Sequence, residues 1–188
     1  MKFRNLTMGL VLTVLTAGSL SAQTFDLGLE AGGNLTDLIG SGVSGSTTNG
    51  IKVGFAGGAF LCLNFGENFG IRPELLYEQK GNQNSGASTS TELDYLEIPL
   101  LLKFSLGTPV VNPGILLGPA FSFNVLAQSG GINLSNVNSS DVGLVGGVEV
   151  DISKFLVSGR YELGLTDLTT GGNVQNGTFT FLIGYSFI

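Results

Sequence analysis

The 188-residue chain has no histidine, no tryptophan and a single cysteine. Without histidine, hydrolytic and acyl-transfer chemistry loses its usual general base. A carboxylate pair acting as in aspartic proteases stays conceivable, yet many acid-rich interiors offer such pairs, so the chain is expected not to be an enzyme. Cys62 has no partner for an intrachain disulfide and reads as a small buried residue. Charge is scarce too: 12% of residues are charged, about half the roughly 25% of a soluble domain. Hydrophobic content is an ordinary 43%, with 30 glycines, so small and weakly polar residues replace the missing charge. Such a chain does not turn mainly toward water. With 14 acidic and 8 basic residues and a formal charge of -6, nucleic acid is not an expected partner.

Long apolar runs are missing as well. The one candidate lies at the start, where Lys2 and Arg4 precede an apolar run over residues 8–15 and the small-residue stretch AGSLSA ending at Ala22. This is the pattern of a secretory signal over residues 1–22. The run falls short of the ~20 residues a spanning helix needs, and no cysteine follows it to carry a lipid. The remaining domain, 23–188, has no continuous apolar segment of helical length. If that domain sits in a membrane, it does so as a closed barrel, because only helices and closed barrels satisfy every backbone polar group in lipid.

What the chain does have is alternation, most clearly over residues 69–104, which read FGIRPELLYEQKG, then NQNSGASTSTE, then LDYLEIPLLLKF. In the first arm Phe69, Ile71, Pro73, Leu75 and Tyr77 share one parity, and Arg72, Glu74, Glu78 and Lys80 share the other. In the second, Leu96, Ile98, Leu100, Leu102 and Phe104 oppose Tyr95, Glu97 and Lys103. Period-2 alternation puts these sets on opposite faces of a strand, and the Gly/Asn/Ser/Thr linker suits an exposed loop.

These arms resemble the hairpin of the PorT-like outer-membrane β-barrel proteins of Bacteroidetes, which are related to small OmpA- and OmpX-type barrels. The resemblance extends through GLVGGVEVDISKFLVSGRYELGLTDL (143–168) and the closing GTFTFLIGYSFI. It implies an outer-membrane barrel and leaves the role open, since members range from gliding or secretion factors to proteins with no assigned task. The end departs from the pattern: such barrels usually finish on an aromatic residue, whereas Phe187 is here followed by Ile188.

Six further alternating segments, near 25–31, 50–65, 114–127, 140–152, 157–165 and 177–188, complete an expected all-β, eight-stranded antiparallel up-and-down transmembrane barrel. Connections alternate long and short. Segments 35–49, 82–92, 128–139 and 168–176 read as loops; 66–68, 107–112 and 153–154 read as turns. Short periplasmic turns and longer extracellular loops are the outer-membrane pattern; a soluble sandwich has no cause to sort its loops. The glycine pairs Gly32-Gly33, Gly57-Gly58 and Gly146-Gly147 fall inside strands, so they are not phosphate-binding loops.

Nearly all strand charges have the parity opposite the bulky apolar residues; Glu92, Asp94 and Asp167, beside the long loops, are the exceptions. A lipocalin-like soluble barrel would turn the apolar face inward. The polar face is too rich in Gly, Ala, Ser and Thr for a water-facing exterior, and small residues suit a crowded eight-strand interior. The apolar face is therefore expected to meet lipid, with lipopolysaccharide around it and the barrel-assembly machinery reading the last strand. The lumen would hold Glu30, Lys52, Arg72, Glu74, Glu97, Lys103, Glu149, Arg160 and Glu162 as a structural charge network, since buried charges persist only when paired; a proton or ion path is the other reading of the same residues. Arg160 is expected to bridge at least one carboxylate, with Glu149 or Asp151 of the preceding strand the nearest candidates by sequence. No cofactor or metal is expected. The functional expectation is a plugged barrel with four extracellular loops, a PorT-like secretion or gliding accessory or a narrow channel being the alternatives; no surface partner can be named from sequence.

Overall fold

The computed structural model describes residues 23–40, 49–50, 52–84, 90–108, 110–129, 132–133, 140–166 and 174–188. The signal-like segment 1–22 and most of the long connections lie outside them. Eight long strands carry the fold: β1 (Gln23–Gly40), β2 (Lys52–Phe65), β3 (Phe69–Asn84), β4 (Ser90–Ser105), β5 (Val111–Ser129), β6 (Ser140–Ile152), β7 (Phe155–Gly164) and β8 (Val174–Ser186). Two short pieces extend the ladders: Asn49–Gly50 pairs with the end of β3, and Ile132–Asn133 folds back on the end of β5.

Every long strand pairs antiparallel with its sequence neighbours, and β1 also pairs with β8, from Gly28 opposite Ser186 to Gly40 opposite Val174. The sheet therefore closes and leaves no free edge. All three short turns, and both ends of the described chain, lie at one end of the barrel, since Gln23 pairs with Phe65 beside the β2–β3 turn. Gly66 takes a positive φ in that turn, and Ser153 does so, at 57°, in the two-residue β6–β7 turn.

The alternation expected from sequence is the one observed. Leu29, Val53, Leu75, Ile98, Phe121, Val148 and Ile183 point out and are exposed, while the charged parity points in. The inward face also holds apolar groups that the charge pattern concealed. Leu101, Leu116, Ala120 and Val145 form one buried cluster, and Ala56, Leu76 and Leu182 another. Gly58 marks a close approach: a Cβ there would lie 1.9 Å from the Leu75 carbonyl oxygen of β3, so only glycine fits.

The strands outrun their expected limits. β1 continues to Gly40 through residues read as loop, β3 and β4 reach Asn84 and Ser90, β5 spans Val111–Ser129, and β8 starts at Val174. These stretches are rich in Gly, Asn, Gln, Ser and Thr, so alternation of hydrophobicity fades. The ladder does not need it, because backbone N–H and C=O groups pair whatever the side chain.

Candidate functional site

Within the barrel, inward-facing charges assemble in two tiers. The middle tier is built on two arginines. Arg72, from β3, is 1% exposed and reaches three strands' carboxylates: Glu30 on β1 at 2.7 Å, Glu149 on β6 at hydrogen-bonding distance, and Glu74 on its own strand at 2.7 Å. The Glu74 contact, from Nε, is ionic rather than a hydrogen bond, because the N–H is poorly aligned. The guanidinium also lies 4.1 Å from the centroid of the inward-facing Phe60 ring, a cation–π arrangement. Arg160, from β7, reaches Glu74 at 2.5 Å and Glu30 at 3.2 Å. Lys103, from β4, extends the tier toward the short turns, donating to Glu149 at 2.8 Å and Asp151 at 2.5 Å.

The second tier lies toward the long connections and centres on Lys80 of β3. Its ammonium sits 2.6 Å from Glu97 of β4, 2.6 Å from Glu162 of β7 and 3.0 Å from Glu78. Ser122 of β5 donates to the same Glu97 oxygen. The three glutamates are buried, and their oxygens lie within 4.8 Å of one another. That spacing could hold a metal ion, but the position a cation would take is filled by the Lys80 ammonium. Lys52 donates to the Lys80 carbonyl at 3.0 Å, which places it beside this tier.

Six of the nine expected network residues, Glu30, Arg72, Glu74, Lys103, Glu149 and Arg160, thus bind one another; Glu97 and Glu162 bind Lys80, and Lys52 borders that second tier. Lys80, Glu78 and Asp151 belong to the clusters as well; their inward parity was the available signal. Arg160 bridges two carboxylates, Glu74 and Glu30, but not the candidates nearest in sequence. Those two, Glu149 and Asp151, are held by Lys103, with Arg72 on Glu149 as well. Directly opposite Arg160 on β6 is Gly147, where a Cβ would crowd the arginine's own Cγ at 2.9 Å. The side chain therefore lies over Gly147 and spans the lumen to β3 and β1. In a narrow barrel, inward side chains converge on the axis, so partners across the lumen compete with partners next door.

Near the short turns the interior opens into a cavity of about 310 Å³, bordered by Asp26, Cys62, Lys103 and Asp151. Cys62 donates to Asn64 at 3.3 Å, and Asn64 in turn donates to Asp26 at 2.7 Å. Of the three exceptions to the parity rule, Asp94 lies at the outer rim and accepts from the Tyr77 hydroxyl at 2.6 Å. Asp167 and the Glu92 side chain fall outside the described residues. Chemically, these interior carboxylates are engaged by cations rather than arranged around a nucleophile.

The model of the family described as outer membrane protein beta-barrel domain matches residues 21–170. Among solved structures, Ail of Yersinia pestis in complex with the heparin analogue sucrose octasulfate is 17% identical. The match covers 87% of this chain and 99% of that one, with a TM-score of 0.55. Neisserial surface protein A is 16% identical over 89% of this chain and 100% of its own, also at 0.55. At such identities the likeness is one of fold. No curated protein sequence matches the chain.

Proposed function

This chain belongs to the outer membrane β-barrel domain family and resides in the outer membrane of a Gram-negative bacterium, and we propose that it is a non-conducting barrel of structural or surface-interaction type. In this reading the lumen is plugged by its own charges, and the four segments joining strands at the end opposite the short turns are presented outside the cell, as in barrels of this class. The observation that carries the reading is the burial of Arg72 and Arg160, at 1% and 4% exposed, with carboxylates of β1, β3 and β6 gathered around them across the lumen. Opening a path for hydrated ions would separate these pairs at several kcal/mol each. The absence of histidine from the sequence supports a non-enzymatic role.

The test is reconstitution. Purified barrel in planar bilayers should give no stable conductance steps, and proteoliposomes should not swell in sugar solutions. Steady conductance of porin size would overturn the reading. A PorT-like role in secretion or gliding rests on the residue 69–104 hairpin; a deletion strain with an unchanged secretome and normal gliding would remove it. A sulfated polyanion like the one bound to Ail would meet a chain of formal charge -6, and electrostatics favours a different class of surface partner.

A further inference from the structure

The lipid-facing surface is interrupted by a depression of about 420 Å³, and we infer that it binds an acyl chain of an anionic phospholipid of the periplasmic leaflet. Its floor is made where side chains are smallest: Ala31 of β1 stands directly opposite Gly57 of β2. Leu29 and Ile183 rise as walls, and the Phe55 ring leans over Gly57 as a third, its Cζ 2.9 Å from where a Cβ would stand. Its lower end is formed by Tyr185 of β8 and Phe155 of β7, registered partners whose rings lie 5.2 Å apart. The groove thus crosses β2, β1, β8 and β7, three strand spacings or about 14 Å. Bulky residues border this stretch of the outer wall, and the small ones between them leave a channel that an acyl chain can enter.

The charge at one end of the groove selects the headgroup. Lys154, in the β6–β7 turn, directly precedes Phe155. Its ammonium donates to the Phe187 carbonyl at 3.1 Å, and the Phe187 ring packs on Tyr185 at 5.8 Å. Lys154 lines the mouth of the lumenal cavity, and the next residue, Phe155, borders both that cavity and the groove. Lys154 is exposed and forms no ion pair with a carboxylate among the described residues, while the nearby Asp151 is engaged by Lys103. An ammonium has three N–H donors, so donors remain for a phosphate. Short turns face the periplasm in barrels of this class, which puts the cation at the level of periplasmic-leaflet headgroups and the groove at the level of their chains.

Native mass spectrometry of the detergent-purified barrel, with phosphatidylglycerol or phosphatidylcholine added separately, tests this. The wild type should retain one phosphatidylglycerol in preference to phosphatidylcholine by about fivefold, the scale of one lysine near an anionic surface. Lys154→Gln should abolish the preference. Ala31→Leu, which fills the floor from the lipid side, should lose both lipids; Phe55→Ala, which removes a wall without adding bulk, should weaken both. Retention unchanged in Ala31→Leu and Phe55→Ala would overturn the groove assignment, as would a dimer that the same two variants dissolve, because a second copy would then be the occupant. Equal retention of the two lipids by the wild type would overturn the headgroup assignment.

Discussion

Arg72→Met asks whether the interior charges hold the barrel together. The guanidinium touches Glu30, Glu74 and Glu149 and packs on Phe60. Methionine keeps a long, adaptable side chain beside the ring, so what is lost is mainly the charge and its hydrogen bonds. The three carboxylates are not equally abandoned. Glu30 and Glu74 retain Arg160, and Glu149 retains Lys103. The expected cost is therefore that of breaking one buried pair, about 3–5 kcal/mol, rather than a multiple of it. With a urea slope of about 1–3 kcal/mol/M, the unfolding midpoint should fall by roughly 1 M or more. The assay is urea unfolding of barrel refolded into vesicles, followed by tyrosine fluorescence and by the mobility of unboiled samples on a denaturing gel. Adding Glu149→Gln removes the carboxylate bonded to the Arg72 fork tip, and the double variant should recover part of the loss, with a coupling of about 0.5–3 kcal/mol. A wild-type midpoint for Arg72→Met would refute the reasoning, because it would mean that the arginine is solvated or dispensable. Strict additivity in the double variant would refute the pairing with Glu149.

Three further outcomes follow from the same geometry. Because the sheet closes β1 on β8, the barrel should stay folded in detergent until boiled, so boiled and unboiled samples should differ in mobility; identical mobility across several detergents would contradict closure. Lys80→Ala should destabilise by about 3–5 kcal/mol and leave glutamate oxygens within 4.8 Å of one another, about twice a Ca²⁺–oxygen distance. Calcium should then restore stability to the variant and not to the wild type, and no calcium response in the variant would count against the cage. Gly58→Val should fail to assemble, since its Cβ would collide with the Leu75 carbonyl oxygen at 1.9 Å; a variant of normal heat-modifiability would show that β2 and β3 can separate there.

The two faces of each strand were legible because lipid and lumen ask for opposite chemistry at every second residue. That contrast exists only where the strand is in the membrane. Beyond it, the backbone ladder runs on through Thr36, Asp37 and the ends of β3 and β4, where a composition rich in Gly, Asn, Gln, Ser and Thr resembles a loop. The apolar residues of the interior were illegible for a related reason. Leu76, Leu101, Leu116 and Leu182 have inward parity but look like members of a hydrophobic run, and only closure of the sheet shows that they fill the lumen between the charges.

Pairing within the network is a different kind of information. Parity assigned Arg160, Glu30 and Glu74 to one compartment, but their contacts join β7 to β1 and β3, strands far apart in sequence. Such contacts depend on how the registers of all eight strands stagger around the closed sheet, and one-residue slips reverse every face. The nearest acid in sequence was therefore a poor guide. A better local signal was Gly147: an inward position without a side chain, registered directly opposite Arg160, gives a long cation room to lie flat and reach across. The inference has a direct consequence. Gly147→Ala would place a Cβ 2.8 Å from the Gly159 carbonyl oxygen and 2.9 Å from the Arg160 Cγ, crowding the strand as well as pushing the guanidinium away from Glu74. It should destabilise far more than the about 0.4–1 kcal/mol that a Gly→Ala change confers where the backbone is compatible, and with the opposite sign. Combining it with Arg160→Met should relieve only part of that penalty, because the Gly159 carbonyl oxygen, 2.8 Å from the same Cβ, is backbone and stays in place. If Gly147→Ala proves neutral or stabilising in the urea assay, the path of Arg160 across the lumen is not set by this glycine.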